Sequence, residues 1–301
     1  MWPFVSFVLP VVVGCEIDRF EPVGMALPPI EGTGDYEFAS YEPLASKPLR
    51  VFFHVPRSTR DDSPVVIVMH GQNRDADAYR DTWIPLAETF GFVVAAPQFR
   101  DVFYAGSNGY ALGNVFRDGE NPSPETERDS SEWSYQWLEP LFDDIVARTP
   151  TEVETYQAWG HSAGAQFLHR FVMFISDARY DYVVAANAGW YTMPDDAVPF
   201  PYGLGDSPIE GGDRSFFSRD LIVHNGDNDD NPQSSSLRRT PEADEQGLHR
   251  LDRGAYFVEQ SAQLAGDGPF AWAREVVPGV GHSQEGMAPV GARWLANMLE
   301  L

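Results

Sequence analysis

Short apolar runs alternate along most of the chain with longer segments of helical periodicity. The runs Val65–Met69 and Phe92–Ala96 show no polar residue at alternate positions, which is typical of strands buried on both faces of a sheet. The predicted strands are Leu49–Val55, Val65–Met69, Phe92–Ala96, Glu154–Trp159, Tyr182–Ala186, Leu221–Asn225 and Trp272–Val277. The predicted helices are Asp77–Phe90, Trp133–Arg148, Ala163–Ile175, Glu242–Leu264 and Met287–Leu299. This alternation predicts the α/β class, with a mostly parallel, doubly wound sheet flanked by helices and ligand sites at the carboxyl ends of the strands.

The first 47 residues lack this pattern. Residues 16–47 are rich in Pro, Gly and Glu without periodicity, so we expect a tether or an irregular arm there, and one folded domain over residues 48–301. Residues 1–15 are apolar and too short to span a bilayer, which favours a signal segment. A signal peptide should begin with Lys or Arg, but the first basic residue here, Arg19, follows the apolar run. The alternative is therefore an N-terminal strand or an apolar segment packed on the domain.

The apolar segment ends in a sequence that resembles a bacterial lipobox. Cys15 closes the run Val12-Val13-Gly14-Cys15 and is the only cysteine of the chain. We therefore expect lipidation at Cys15 and export, either as a secreted protein or as a lipoprotein of the cell envelope.

The charge balance excludes one class of partner. The 301 residues contain 21 Lys and Arg against 45 Asp and Glu, a formal net charge of −24, so nucleic acid and anionic membrane surfaces would repel the protein. Lys47 is the only lysine. An acidic, lysine-poor composition fits either a high-salt environment or a codon bias toward arginine. Neither explanation indicates which reaction the protein catalyses.

A five-residue motif carries the strongest chemical signal. Gly160-His161-Ser162-Ala163-Gly164 fits G-x-S-x-G and stands between a predicted strand and a predicted helix, the context in which this motif presents a nucleophilic serine. The two glycines permit a tight reversal that projects the hydroxyl of Ser162 above the sheet. A serine hydroxyl is a weak nucleophile, so the motif requires a histidine base held by a carboxylate.

Both partners are expected downstream of the serine. His282 follows the last predicted strand in a glycine-rich loop, and it is the only one of seven histidines so placed. For the acid we choose Asp229 over Asp227, which would cap the turn, and over Asp230, which would face solvent. The same stretch resembles the start of a calcium loop, but Pro232 stands where that loop needs glycine, so we expect no metal.

The order Ser162, Asp229, His282 is that of the α/β-hydrolases. Residues 48–301 resemble an α/β-hydrolase of the polyhydroxybutyrate depolymerase and feruloyl esterase type, a group of secreted, single-domain carboxylesterases without a large lid domain. The resemblance implies a serine esterase that works through an acyl-enzyme with no metal or organic cofactor. It also implies an oxyanion hole from the backbone N–H groups of Ala163 and Gln72, the latter in the element Met69-His70-Gly71-Gln72-Asn73.

Two long loops, 97–132 and 189–220, should build the substrate cleft. The candidate substrate-binding residues are His70, Tyr104, Trp190 and Tyr191, and His70 is also a candidate support for the oxyanion loop. For each aromatic residue, ordinary packing under a loop is the alternative. As a set they predict an open, apolar cleft with few charges, suited to a bulky or polymeric ester.

Three other functions remain open on the sequence alone. The same three residues could cleave peptides or thioesters, the domain could be a catalytically silent binding module, or the chain could be a structural surface lipoprotein. The expected partner is an ester substrate, and membrane contact is expected only through a lipid on Cys15.

Overall fold

A computed structural model describes residues 28–301, so Cys15 and the predicted signal segment lie outside the described residues. The strands are β1 (Gly32–Phe38), β2 (Leu49–Val55), β3 (Val65–Met69), β4 (Val93–Gln98), β5 (Tyr156–His161), β6 (Tyr180–Ala186), β7 (Asp220–Gly226) and β8 (Trp272–Val277). The α-helices are α1 (Ala76–Phe90), α2 (Gly106–Gly109), α3 (Leu138–Arg148), α4 (Ala163–Phe174), α5 (Pro241–Glu245), α6 (Arg250–Ala265) and α7 (Gln284–Met298). Short 3-10 helices cover Glu42–Leu44, Ser130–Glu132, Ser134–Trp137 and Ser215–Ser218.

The eight strands form one sheet in the order β1-β2-β4-β3-β5-β6-β7-β8. The pairs β1–β2 and β2–β4 are antiparallel, and every other pair is parallel. Parallel neighbours require crossovers; α-helices supply most of them, and the connection from β6 to β7 is the long loop 187–219 with one short 3-10 helix. The predicted α/β class with a mostly parallel, helix-flanked sheet is confirmed, and residues 28–301 contain no large lid domain.

Apolar side chains fill both faces of the sheet. On β3, Val65, Ile67 and Met69 pack into one hydrophobic cluster, while Val66 and Val68 pack into another beneath α1 and α7. All five are fully buried, as their unbroken apolar pattern predicts. This packing fixes the positions of the strand ends, where the candidate site residues lie.

The first strand corrects the expectation of an irregular segment up to residue 47. β1 pairs with β2 in a continuous register from Gly32–Val55 to Phe38–Leu49, and its side chains alternate in exposure. The strand lies at the edge of the sheet and is stabilised by backbone pairing, so it needs few apolar side chains. Tyr36 anchors it further by donating a hydrogen bond to Asp144 of α3 at 2.5 Å.

One predicted helix is interrupted. The stretch 242–264 forms α5 and α6, separated at Gly247, whose φ of 139° lies outside the helical range. The side chain of His249 then accepts a hydrogen bond from the backbone N–H of Asp252 and caps α6.

Among residues 28–301, no helix combines the length and apolar character needed to cross a membrane.

Candidate active site

The G-x-S-x-G motif forms a sharp turn between β5 and α4. Ser162 adopts φ 58° and ψ −113°, a strained conformation for a residue with a side chain. A Cβ atom on Gly164 would lie 2.2 Å from the carbonyl oxygen of Met69, and one on Gly160 would lie 2.6 Å from the carbonyl carbon of Gly164. The chain passes too close to itself for any other residue at these two positions, and the turn places Ser162 in the wall of a cleft.

Three side chains from separate loops meet at this turn. The Oγ atom of Ser162 lies 3.1 Å from Nε2 of His282, and Nδ1 of His282 lies 2.7 Å from Oδ2 of Asp229. In the tautomer that satisfies both contacts, Nδ1–H donates to the carboxylate and Nε2 accepts the serine hydroxyl. The structure therefore places the three predicted residues in the arrangement that removes a proton from a serine as it attacks.

The neighbouring aspartates have other positions. Asp227 accepts a hydrogen bond from the backbone N–H of Gly279 at 2.7 Å, which joins its loop to the turn before His282. Asp230 is exposed to solvent. Asp229 is only 5% exposed, so a carboxylate at this position must be compensated by a partner charge or hydrogen bonds.

The loop after β3 lies beside the turn. The backbone N–H groups of Gln72 and Ala163 belong to residues that line the same cleft as Ser162, and within residues 28–301 neither N–H has a hydrogen-bond acceptor. The fully buried ring of His70 shapes this loop, since Nδ1 contacts the carbonyl of Gly71 at 2.8 Å and Nε2 accepts the N–H of Phe99 at 3.1 Å. Burial lowers the pKa of His70 to about 3, so its ring is neutral.

A second buried histidine packs against His282. The rings of His161 and His282 lie with their centroids 4.6 Å apart, and the hydroxyl of Tyr79 contacts Nδ1 of His161 at 3.1 Å. Burial, and then the charge of His282 nearby, hold the pKa of His161 well below its usual value. His161 is therefore a neutral ring packed against His282.

Two solved structures are similar to this chain over most of its length. Poly(aspartic acid) hydrolase-1 from Sphingomonas sp. KT-1 is 38% identical, with a TM-score of 0.80, over 89% of this chain and 98% of the relative. The poly(3-hydroxybutyrate) depolymerase LpqC from Bordetella parapertussis is 31% identical, with a TM-score of 0.80, over 88% of this chain and 89% of the relative. This chain belongs to the α/β-hydrolase superfamily, in its poly(3-hydroxybutyrate) depolymerase-like group.

More distant structures share the fold alone. The siderophore hydrolase EstA from Aspergillus nidulans is 15% identical, with a TM-score of 0.54, over 91% of this chain and 99% of the other. No family model matches the sequence, and no curated protein matches it. The membership established by the two nearer relatives assigns the chain to the hydrolases.

The cleft of this hydrolase differs from the apolar groove expected from its aromatic loops. It encloses about 440 Å³ and is lined by Ser162, Trp190 and mostly polar residues, among them Arg74, Arg238 and Arg250. Leu237 is one of its few aliphatic residues. Tyr110 and Trp190 line the cleft, whereas other aromatic residues of the loops, such as Tyr104 and Tyr191, are buried in packing contacts, so polar groups form most of the cleft wall.

The candidate substrate-binding residues separate accordingly. Of the four, only Trp190 lines the cleft, where the guanidiniums of Arg170 and Arg238 lie 4.3 and 4.7 Å from its ring. Tyr191 is fully buried and stacks on Phe257 at 4.4 Å. The other two do not line the cleft either: Tyr104 is buried and donates to the carbonyl of Lys47 at 2.6 Å, and the buried ring of His70 contacts the carbonyl of Gly71 in the loop after β3.

One residue of the site had no signal in the sequence. Arg250, the first residue of α6, is 2% exposed, and its guanidinium contacts Asp229 at 3.3 Å and Ser236 at 2.9 Å. An arginine at the start of an amphipathic helix is typical of a solvent-exposed position.

Among residues 28–301, no group of three or more His, Cys, Asp or Glu side chains is arranged to hold a metal ion.

Proposed function

We propose that this protein is a serine hydrolase of carboxylic esters that works through an acyl-enzyme. The observation that supports the proposal is the hydrogen-bonded chain from Ser162 through His282 to Asp229, with the serine in the wall of a cleft. A hydroxyl 3.1 Å from an imidazole nitrogen is within reach for general-base catalysis.

In the first half-reaction, Ser162 Oγ attacks the ester carbonyl while His282 Nε2 takes the hydroxyl proton. Asp229 holds the ring in position and stabilises the imidazolium that forms. The backbone N–H groups of Ala163 and Gln72 donate to the oxyanion of the tetrahedral intermediate. The imidazolium then returns its proton to the alcohol oxygen as the carbon–oxygen bond breaks, which leaves an acyl-serine.

In the second half-reaction, water takes the place of the alcohol. His282 removes a proton from the water as it attacks the acyl-serine, and the same two N–H groups hold the second oxyanion. Collapse of this intermediate returns the proton to Ser162 Oγ and releases the carboxylic acid. No step requires a metal or an organic cofactor.

The polar lining of the cleft favours a polar or polymeric substrate over a long fatty acyl chain. Its wall contains arginine, glutamine and serine side chains with Trp190 among them. Burial of a long aliphatic chain against such groups would cost their hydration without supplying hydrogen bonds. Short acyl esters and polyesters with a carbonyl in every repeat are the substrates that fit.

The test is hydrolysis of p-nitrophenyl esters from acetate to dodecanoate, together with poly(3-hydroxybutyrate). We expect turnover that falls with acyl length and is lost in Ser162→Ala, with the variant as stable as the wild type. Equal turnover by wild type and Ser162→Ala would contradict the proposal. Cleavage of thioesters or peptides in place of oxygen esters would redirect it to those substrates.

A second candidate is hydrolysis of amide bonds in an anionic polymer. Arg74 lines the cleft, and its Nη1 atom is buried without a hydrogen-bond partner among residues 28–301, while Nη2 donates to the carbonyls of Tyr104 and Gly106. Nη2 also lies 3.5 Å from Oδ1 of Asp101, another residue of the cleft, so a substrate carboxylate would compete with Asp101 for this guanidinium. The relative from Sphingomonas is named a poly(aspartic acid) hydrolase.

This candidate is tested by incubating the protein with poly(aspartic acid) and measuring the amino groups that amide hydrolysis releases. If the candidate holds, Arg74→Gln raises KM for the polymer about tenfold more than KM for p-nitrophenyl acetate, because only the polymer offers a carboxylate. Cleavage of the neutral polyester with no action on poly(aspartic acid) would leave the ester proposal standing alone.

We also propose export, with a lipid on Cys15 as the point of membrane contact. The apolar run 1–15 and its lipobox-like end support this proposal. Metabolic labelling with palmitate, compared between the full chain and Cys15→Ala, is the measurement. Label and membrane association that are both lost in the variant are expected, and an unlabelled cytoplasmic protein would contradict it.

A further inference from the structure

The carboxylate of Asp229 has two partners, and only one of them belongs to the proposed triad. Oδ2 accepts from His282, and Oδ1 accepts from Nη1 of Arg250 at 3.3 Å. Asp229 and Arg250 are 5% and 2% exposed, so solvent contributes little to holding either group. The orientation of the acid is therefore set from the side opposite the histidine by one guanidinium.

The same guanidinium reaches the wall of the cleft. Nη2 of Arg250 donates to Ser236 Oγ at 2.9 Å, and Nη1 also contacts Ser234 Oγ at 3.5 Å. Ser236 lines the cleft beside Ser162 and also a smaller cavity of about 270 Å³ on the other side of Ser162 and His282. The segment 231–240 thus crosses next to the nucleophile, and Arg250 ties it to the acid.

We propose that Arg250 is a positioning residue, which fixes the Asp229 carboxylate toward His282 and holds Ser236 against the reacting serine. This inference rests on the proposed function. The planar fork of arginine serves both partners at once, with one nitrogen on the carboxylate and the other on the hydroxyl. A lysine at this position would offer a single point of charge, which cannot reach both with the same geometry.

The alternative is that Arg250 only neutralises a buried carboxylate and stabilises the fold. The chain offers a matched control in α3, where Arg148 lies 3.4 Å from Asp144, a carboxylate that is also 5% exposed. This pair lies away from the cleft and contacts none of its residues. Removal of either arginine leaves a buried carboxylate without its cationic partner, with only Tyr36 still bound to Asp144 and His282 to Asp229, so both variants should lose stability.

The experiment compares Arg250→Gln with Arg148→Gln on p-nitrophenyl butyrate, with rates corrected for the folded fraction from circular dichroism. We expect kcat of Arg250→Gln to fall about 100-fold with a smaller change in KM, because misorientation of a catalytic group acts on the reacting step. Arg148→Gln should keep kcat within about threefold of the wild type. Arg250→Gln within about threefold of the wild type would overturn the inference.

Arg250→Lys decides the matter if Arg250→Gln fails to fold. It keeps the positive charge, so a purely neutralising role predicts wild-type kcat, whereas the positioning role predicts a loss of about tenfold. Millimolar guanidinium should restore kcat of Arg250→Ala in a saturable manner and leave Arg148→Ala unchanged. A wild type without turnover overturns the proposed function and this inference together, and an active wild type with unaffected Arg250 variants overturns the inference alone.

Discussion

Nδ1 of His282 lies 2.7 Å from Oδ2 of Asp229, although 53 residues separate the two in sequence. This contact orients the base, and a neutral amide in place of the carboxylate would favour the wrong tautomer of the ring. We expect Asp229→Asn to lower kcat about 10⁴-fold with little change in fold. Ester hydrolysis measured with active-site titration is the readout.

Asp230→Asn is the matched control, because Asp230 belongs to the same loop and is exposed. It should keep kcat within about twofold of the wild type. If the two variants lost activity equally, the effect would lie in the loop rather than in the contact of Asp229 with His282.

Buried histidines predict a loss of stability in acid. Burial lowers the pKa of His70 to about 3 and that of His224 to about 4, and it holds the pKa of His161 and His169 well below the usual value. The unfolded chain protonates these rings near pH 6.5, whereas the folded chain does not. The free energy of unfolding should therefore fall as pH drops from about 6.5 toward 4, by about 1.4 kcal/mol per pH unit for each histidine.

His224 isolates one of these contributions. Neither of its ring nitrogens has a hydrogen-bond partner among residues 28–301, and the carboxylate of Glu275 lies 3.7 Å from Nε2. Urea unfolding between pH 6 and 5 should show a pH slope for His224→Leu that is about 1.4 kcal/mol per unit smaller than that of the wild type. An unchanged slope would show that His224 binds its proton in the folded state as readily as in the unfolded one.

The turn that carries Ser162 was predictable because its signal is local. Gly160, Ser162 and Gly164 lie within five residues, and the flanking strand and helix are contiguous with them. His282 and Asp229 followed because the carboxyl ends of parallel strands meet at one edge of a sheet. The structure brings all three together as their order predicts.

What the sequence did not predict depends on contacts between distant residues. The position of β1 depends on backbone pairing with β2, which leaves no strong apolar pattern in Gly32–Phe38. Arg250 is buried against Asp229, 21 residues earlier, and against Ser234 and Ser236, contacts that no local pattern around position 250 indicates. The aromatic residues Tyr104 and Tyr191 were assigned to the cleft by position in a loop, but packing turns them inward.

An ion pair joins the loop 97–132 to the segment 231–240. Glu120 accepts hydrogen bonds from both terminal nitrogens of Arg238, which lines the cleft beside Trp190. Glu120→Gln would leave this guanidinium without its carboxylate partner. We expect kcat/KM for a succinyl monoester, relative to a neutral butyryl ester, to rise about threefold to fivefold at low salt.

Glu125→Gln is the control for this change, because it removes the same charge from an exposed position of the same loop. The preference for the anionic ester should stay at the wild-type level in that variant, and in Glu120→Gln it should weaken in 1 M salt. A rise of equal size in both variants would indicate a general effect of net charge rather than of Arg238.

Because the turn at Ser162 is tight, we expect Gly164 to tolerate substitution poorly. A methyl group there would lie 2.2 Å from the carbonyl oxygen of Met69, so the backbone must move. We expect Gly164→Ala to lower the free energy of unfolding by about 3 kcal/mol and to reduce kcat through displacement of the serine. Thermal unfolding and ester hydrolysis measure the two effects, and a stable, fully active variant would contradict this account of the turn.

The most direct test of the central claim is the mass of the intact protein after reaction with a fluorophosphonate. An activated serine displaces fluoride and retains the phosphonyl group, whereas an ordinary serine hydroxyl does not react. The account predicts one adduct per wild-type molecule, located by peptide mapping at Ser162, and none in Ser162→Ala or His282→Ala. An unmodified wild type, or an adduct that persists in Ser162→Ala, would contradict it.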